Sequence, residues 1–144
     1  MPKLAVVYLS TQGNTKIMAD ALADGARSRN VDVEIKSFYD WKPEDVAAAD
    51  AIAIGSSTFH YTILPPLEKF VDNLVKAGVK GKVGAAFGSY GWSGEAPHMI
   101  AEKMRNGGID VLDPVLRVQY KPDDKDIKEC NRLGKDLAEA MKKK

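Results

Sequence analysis

At 144 residues, 44% of them apolar and 28% charged, the chain is long enough to bury a core and too apolar for a disordered segment. A formal net charge of +1 with interleaved signs leaves no basic footprint for nucleic acid, and Lys142-Lys143-Lys144 reads as a solvated helix terminus. The single cysteine, Cys130, excludes an intrachain disulfide, and with two histidines it supplies too few soft ligands for a structural zinc site.

In chain order, Leu4 to Leu9 is a continuous apolar run, the pattern of a strand buried on both faces. Ile17, Met18, Ala21, Leu22 and Ala26 then recur at helical spacing. Val31, Val33 and Ile35 alternate with Asp32, Glu34 and Lys36, a strand with one wet face, and a short helix follows Pro43. Ala51 to Ile54 is a second buried run. Leu67, Phe70, Val71 and Leu74 mark a helix that opens at Pro65-Pro66, where proline is tolerated. Val83 to Phe87 is the fourth strand, Ala96 to Met104 is helical, and Ile109 to Val118 holds the fifth strand. Ile127, Cys130, Gly134, Leu137 and Met141 form a stripe on the last helix, which leaves the cysteine a packing role. No apolar run approaches the ~20 residues that span a bilayer. Met1-Pro2-Lys3 runs straight into a strand and leaves no room for a signal peptide, so no membrane association and a cytoplasmic location are expected.

Strand and helix alternate without an internal repeat or linker, so residues 1–144 are expected to form a single α/β domain with a parallel sheet between helix layers. The alternating second strand and the proline-bearing fifth (Pro114) suit edges, and the apolar first, third and fourth suit the centre. One reversal of right-handed crossovers then gives the order 2-1-3-4-5, with a ligand outside the carboxyl ends of the strands. The loops that matter therefore follow strands one, three and four.

After strand one stand Ser10, Thr11, Gln12, Gly13, Asn14 and Thr15, and then a helix begins. Hydroxyls, a glycine and free backbone N–H groups at a helix N-terminus make an anion site, and no cation appears before Lys16. Neutral donors of this kind suit a terminal phosphate. Taken alone, the segment is equally a capped helix after a turn, with Asn14 as the N-cap. Neither G-x-x-x-x-G-K-[ST] nor G-x-G-x-x-G occurs here.

After strand three stand Gly55 to Thr62, and after strand four Gly88 to Glu95. Both loops place aromatics among small residues at the ligand edge, where a flat ligand would cover them. Gly13-Asn14-Thr15, Gly55-Ser56-Ser57-Thr58 and Ala86-Phe87-Gly88-Ser89-Tyr90-Gly91-Trp92 together resemble the flavodoxin family, in particular the flavodoxin-like domain of the A-type flavoproteins (flavo-diiron proteins). The resemblance covers essentially the whole chain. It implies a flavodoxin-like three-layer fold with a five-stranded sheet, one flavin mononucleotide (FMN), and electron transfer between redox partner proteins.

Carried over by position, Ser10, Thr11, Gln12, Gly13, Asn14 and Thr15 hold the phosphate. Ser57, Thr58, Phe59, His60 and Tyr61 border one side of the flavin ring. Ser89, Tyr90, Gly91, Trp92 and Gly94 border the other, with Trp92 as the stacking ring. Trp41 and His98 are assigned to packing and to solvent. Three departures from the family stand out: Gln12 where many flavodoxins have a hydroxyl residue, a loop after strand three that lacks the glycine many flavodoxins use for a peptide flip on reduction, and a near-neutral charge where flavodoxins are acidic.

The resemblance implies an electron carrier, monomeric or weakly dimeric, that needs no catalytic acid, base or nucleophile. His60 is the one residue of these loops that titrates near neutrality, and its protonation is expected to raise the flavin potential at low pH. A receiver domain has the same topology, but Ser10-Thr11-Gln12 and Gly55-Ser56-Ser57 lack its acidic residues. Two alternatives stay open: a small NAD(P)H-dependent FMN or quinone reductase, and an electron-relay subunit serving a separate diiron oxygen or nitric oxide reductase.

Overall fold

In the computed structural model, residues 2–10, 13–57, 65–91, 95–113 and 115–143 are described. The chain runs β1 (Lys3–Leu9), α1 (Asn14–Arg27), β2 (Asp32–Ser37), a 3-10 turn (Phe38–Asp40), α2 (Pro43–Ala47), β3 (Ala51–Ser56), α3 (Pro65–Lys76), β4 (Val83–Tyr90) and α4 (Glu95–Asn106). It ends with β5 (Asp110–Val111), β6 (Leu116–Gln119) and α5 (Asp124–Lys142). Every strand pairing is parallel, and the order is β2-β1-β3-β4-β5, with β6 also paired to β4.

The continuous apolar strands are explained by a sheet covered on both faces. Leu4 and Val6 of β1 join Met18 and Leu22 of α1 and Leu133 and Leu137 of α5 in one core. Ala5, Val7 and Leu9 join Val46 of α2, Leu67 and Leu74 of α3 and Ile100 of α4 in the other. Successive side chains of a strand point to opposite faces, so a strand in the middle layer must be apolar throughout. Trp41 belongs to the second core: it is buried, and its indole N–H donates to the Val6 carbonyl at 3.0 Å. α1 and α5 touch backbone to backbone. A β-carbon on Gly25 would stand 1.9 Å from the Asn131 carbonyl oxygen, and one on Gly134 would stand 1.9 Å from that of Leu22.

Three expectations are corrected. The fifth strand is two segments: β5 pairs with Val83–Gly84 and β6 with Phe87–Tyr90, so the sheet has six strands in five positions. Pro114 lies outside the described residues. β4 runs on through Gly88, Ser89 and Tyr90, which had been assigned to a loop, because β6 supplies their hydrogen-bonding partners. Ile127 faces solvent rather than the core, since the buried stripe of α5 begins at Cys130. Among the described residues no helix is long and apolar enough to cross a membrane.

Candidate functional site

All the strands of the sheet run the same way, so their carboxyl ends gather at one edge and bring Ser10, Ser57 and Tyr90–Gly91 to it. α1 begins there. Its N-cap position is Gly13, with φ of 86°, and among the described residues no side chain caps the helix. The N-cap reading of Asn14 is thereby corrected: Asn14 is the first helical residue. A left-handed cap conformation suits glycine, and a β-carbon at this position would meet nothing within 4 Å. Among the described residues, the first-turn N–H groups therefore have no side-chain acceptor, and the positive end of the helix dipole lies behind them. Lys16, the first cation after the loop in sequence, is exposed and bonds Asp20 one turn further on at 3.1 Å; that contact raises its pKa. The donors left at the helix start are neutral.

Thr15 is fully buried and ties the strand ends together. Its Oγ1 lies 3.1 Å from Ser57 Oγ and 3.0 Å from Ser89 Oγ, and it accepts the Ser89 N–H at 3.3 Å. One hydroxyl thus joins α1 to the ends of β3 and β4. Ser57 also donates its N–H to the Leu9 carbonyl at 3.3 Å, which fixes the loop after β3 against β1. Close approach continues between the strands, for a β-carbon on Gly88 would stand 1.8 Å from the Ser56 carbonyl oxygen. Only glycine fits at that point.

Ser10 Oγ is buried and finds no hydrogen-bond partner among the described residues. A buried hydroxyl left unsatisfied costs roughly 1–3 kcal/mol. With the uncapped turn of α1, it fits the oxygens of a phosphomonoester, which need several donors and tolerate neutral ones. Among the described residues, those gathered here offer hydroxyl and backbone groups, which can bind and orient an anion.

Of the residues singled out from sequence, Ser10, Gly13, Asn14, Thr15, Ser57, Ser89, Tyr90 and Gly91 come together at this edge. Thr11, Gln12, Thr58, Phe59, His60, Tyr61, Trp92 and Gly94 lie outside the described residues. His98 is exposed on α4, and Cys130 is buried among the core residues of α1 and α5, where burial pushes its thiol up to about 12. Gln119 and Tyr120, at the end of β6, also reach Tyr90 and Gly91 and were missed. The rule that ligands lie beyond the carboxyl ends of strands could have flagged them.

The Flavodoxin family profile matches residues 6–134. A flavodoxin from the domain Archaea has the same fold with a TM-score of 0.94 and 61% identity, over 97% of this chain and 99% of that one. The rubredoxin oxygen:oxidoreductase of the anaerobe Desulfovibrio gigas matches with a TM-score of 0.91 and 27% identity, over 98% of this chain and 36% of that one. Putative diflavin flavoprotein A 5 of Nostoc sp. strain PCC 7120 is 35% identical over 97% of this chain and 25% of its own length. The chain thus spans about a quarter of the length of the diflavin flavoproteins that it matches.

Proposed function

Because the chain belongs to the flavodoxin family, we propose that it holds one FMN at the carboxyl edge of its sheet and carries electrons between larger redox proteins. The observation that carries this reading is the buried Ser10 hydroxyl, which has no hydrogen-bond partner among the described residues, beside a start of α1 that no described side chain caps. In this reading Ser10, Thr11, Gln12, Gly13, Asn14 and Thr15 hold the phosphate. Ser10 contributes its O–H, and Asn14 and Thr15 contribute backbone N–H groups. The Thr15 side chain works inward and locks Ser57 and Ser89, so that the two loops that border the flavin ring start from fixed points. Ser57, Thr58, Phe59, His60 and Tyr61 border one side of that ring, and Ser89, Tyr90, Gly91, Trp92 and Gly94 the other. When bound, the flavin supplies reversible one- and two-electron chemistry. The protein's residues set its position and its exposure to water, and through these the free energy of adding an electron.

The test is the visible spectrum of the purified chain, followed by identification of the flavin released on denaturation. A flavin absorption band and one FMN per chain are expected. A colourless protein that takes up no FMN on reconstitution contradicts the reading.

A second role is favoured by one observation. The likeness to the Desulfovibrio oxidoreductase and to the Nostoc diflavin flavoprotein covers nearly all of this chain and only part of theirs. The same fold therefore serves as one unit of larger redox proteins, and this chain is suited to relay electrons to a separate diiron partner that reduces oxygen or nitric oxide. Oxygen consumption by such a partner, measured with and without the reduced chain, checks that role.

A further inference from the structure

Tyr120 breaks two local rules at once. It is 64% exposed, and its φ of 60° is a left-handed conformation that glycine or asparagine adopts at far less cost. Asn30, the other non-glycine residue with positive φ among those described, sits in the turn after α1 and is of the tolerant type. Glycine at 120 would make the same turn without exposing a large ring, so neither the turn nor the core explains a tyrosine. Strain and exposure kept together point to a task for the ring.

The surroundings indicate which task. The Tyr120 N–H donates to the Tyr90 carbonyl at 2.7 Å, and the Gln119 side-chain amide donates to the Gly91 carbonyl at 3.3 Å. Cε1 of the Tyr120 ring lies 3.4 Å from where a β-carbon on Gly91 would stand. Both residues therefore close on the exit of β4, at the carboxyl edge of the sheet. Tyr90↔Gln119 is the last pair of the β4–β6 ladder, so beyond it these contacts take over from the sheet.

Resting on the FMN reading above, we propose that Gln119 and Tyr120 are positioning residues for the flavin. They fix the Tyr90–Gly91 backbone that borders the ring system, and the tyrosine ring screens that side from water. A screened site disfavours the extra charge of the reduced flavin, so loss of the ring raises the potential. The phosphate, held at α1, is unaffected.

The test compares Tyr120→Asn, which removes the ring but accepts the backbone angle, with Tyr120→Phe and Gln119→Leu. Affinities for FMN and riboflavin are measured by fluorescence titration, and the potential of the FMN-loaded protein by redox titration. Tyr120→Asn is expected to weaken both flavins by the same factor, about tenfold. It is also expected to change the preference for oxidised over reduced FMN by about tenfold, a rise of about 59 mV for one electron. Tyr120→Phe should restore wild-type values, and Gln119→Leu should shift both quantities in the same direction by less. Wild-type affinities and potential in Tyr120→Asn overturn the proposal, as does a loss confined to FMN. Should that variant not fold, unchanged constants in Gln119→Leu overturn it. A wild-type chain that binds neither flavin overturns the FMN reading as well, whereas failure of the variants alone overturns only this inference.

Discussion

Ser10 and Thr15 are both hydroxyl residues at the first crossover, and they do opposite things. Ser10 Oγ is buried without a partner among the described residues, whereas Thr15 Oγ1 is surrounded by Ser57 and Ser89. Ser10→Ala therefore removes an unsatisfied group, and thermal unfolding of the flavin-free protein should show equal or greater stability. On the phosphate-binding role proposed for Ser10, the same change deletes a hydrogen bond to a charged group, worth about 1.5–3 kcal/mol, so FMN should bind roughly 10- to 100-fold more weakly while riboflavin is unaffected. Thr15→Val keeps the shape and strands two serine hydroxyls. It should lower stability by about 1–3 kcal/mol in denaturant titrations even without flavin. Cys130 makes a prediction about pH. Desolvation raises its thiol from the ordinary 9.0 to about 12, so above pH 9 the unfolded chain releases a proton that the folded chain retains. This contribution to stability is complete below pH 9 and is lost as pH rises toward about 12, at about 1.4 kcal/mol per pH unit. Chemical unfolding across that window should fall off more steeply for the wild type than for Cys130→Val.

At the scale of elements, the structure depends on two backbone approaches that only glycine permits. Gly134 lets α5 lie against α1, and Gly88 lets β4 lie against the end of β3. Alanine at either position meets a carbonyl oxygen at under 2 Å, where no flexible side chain can move aside. Overpacking of this kind costs about 1–3 kcal/mol or more. Both variants should melt earlier, but Gly88→Ala should also lose FMN affinity, because it displaces the strand ends that carry Ser56 and Ser89. Much at this scale was legible in the sequence. Pro65-Pro66 announced the start of α3, and the unbroken run Leu4–Leu9 announced a strand covered on both faces. What escaped was decided by distant partners. β4 extends to Tyr90 only because β6 lies beside it, and the α1 cap falls to Gly13 because a left-handed angle there leaves the first turn open. The Thr15–Ser57–Ser89 junction spans 74 residues of sequence and follows from no local pattern.

At the scale of the whole molecule, α1 starts at the carboxyl edge of a sheet covered on both faces. Among the described residues no group of three or more histidine, cysteine or acidic side chains could hold a metal ion. On the electron-carrier role proposed above, the chain should oxidise NADH or NADPH negligibly in the presence of a quinone, until a partner reductase is added. Stopped-flow mixing with each reductant checks this, and rapid turnover by the chain alone would favour the reductase reading. The architecture followed from periodicity and topology, and the same topology carries the expectation of a ligand at the carboxyl edge. The nature of the ligand rested on three short motifs, of which Thr58 and Trp92 lie outside the described residues, as do the neighbouring loop aromatics Phe59 and Tyr61.

The grip on the phosphate is tested most directly by titrating the flavin-free chain into FMN and, separately, into riboflavin, following the quenching of flavin fluorescence. FMN should saturate at one per chain and bind at least tenfold more tightly than riboflavin, about 1.4 kcal/mol, with most of that preference lost in Ser10→Ala. Equal affinities for the two flavins, or no quenching of either, would contradict a phosphate held by the neutral donors at the start of α1.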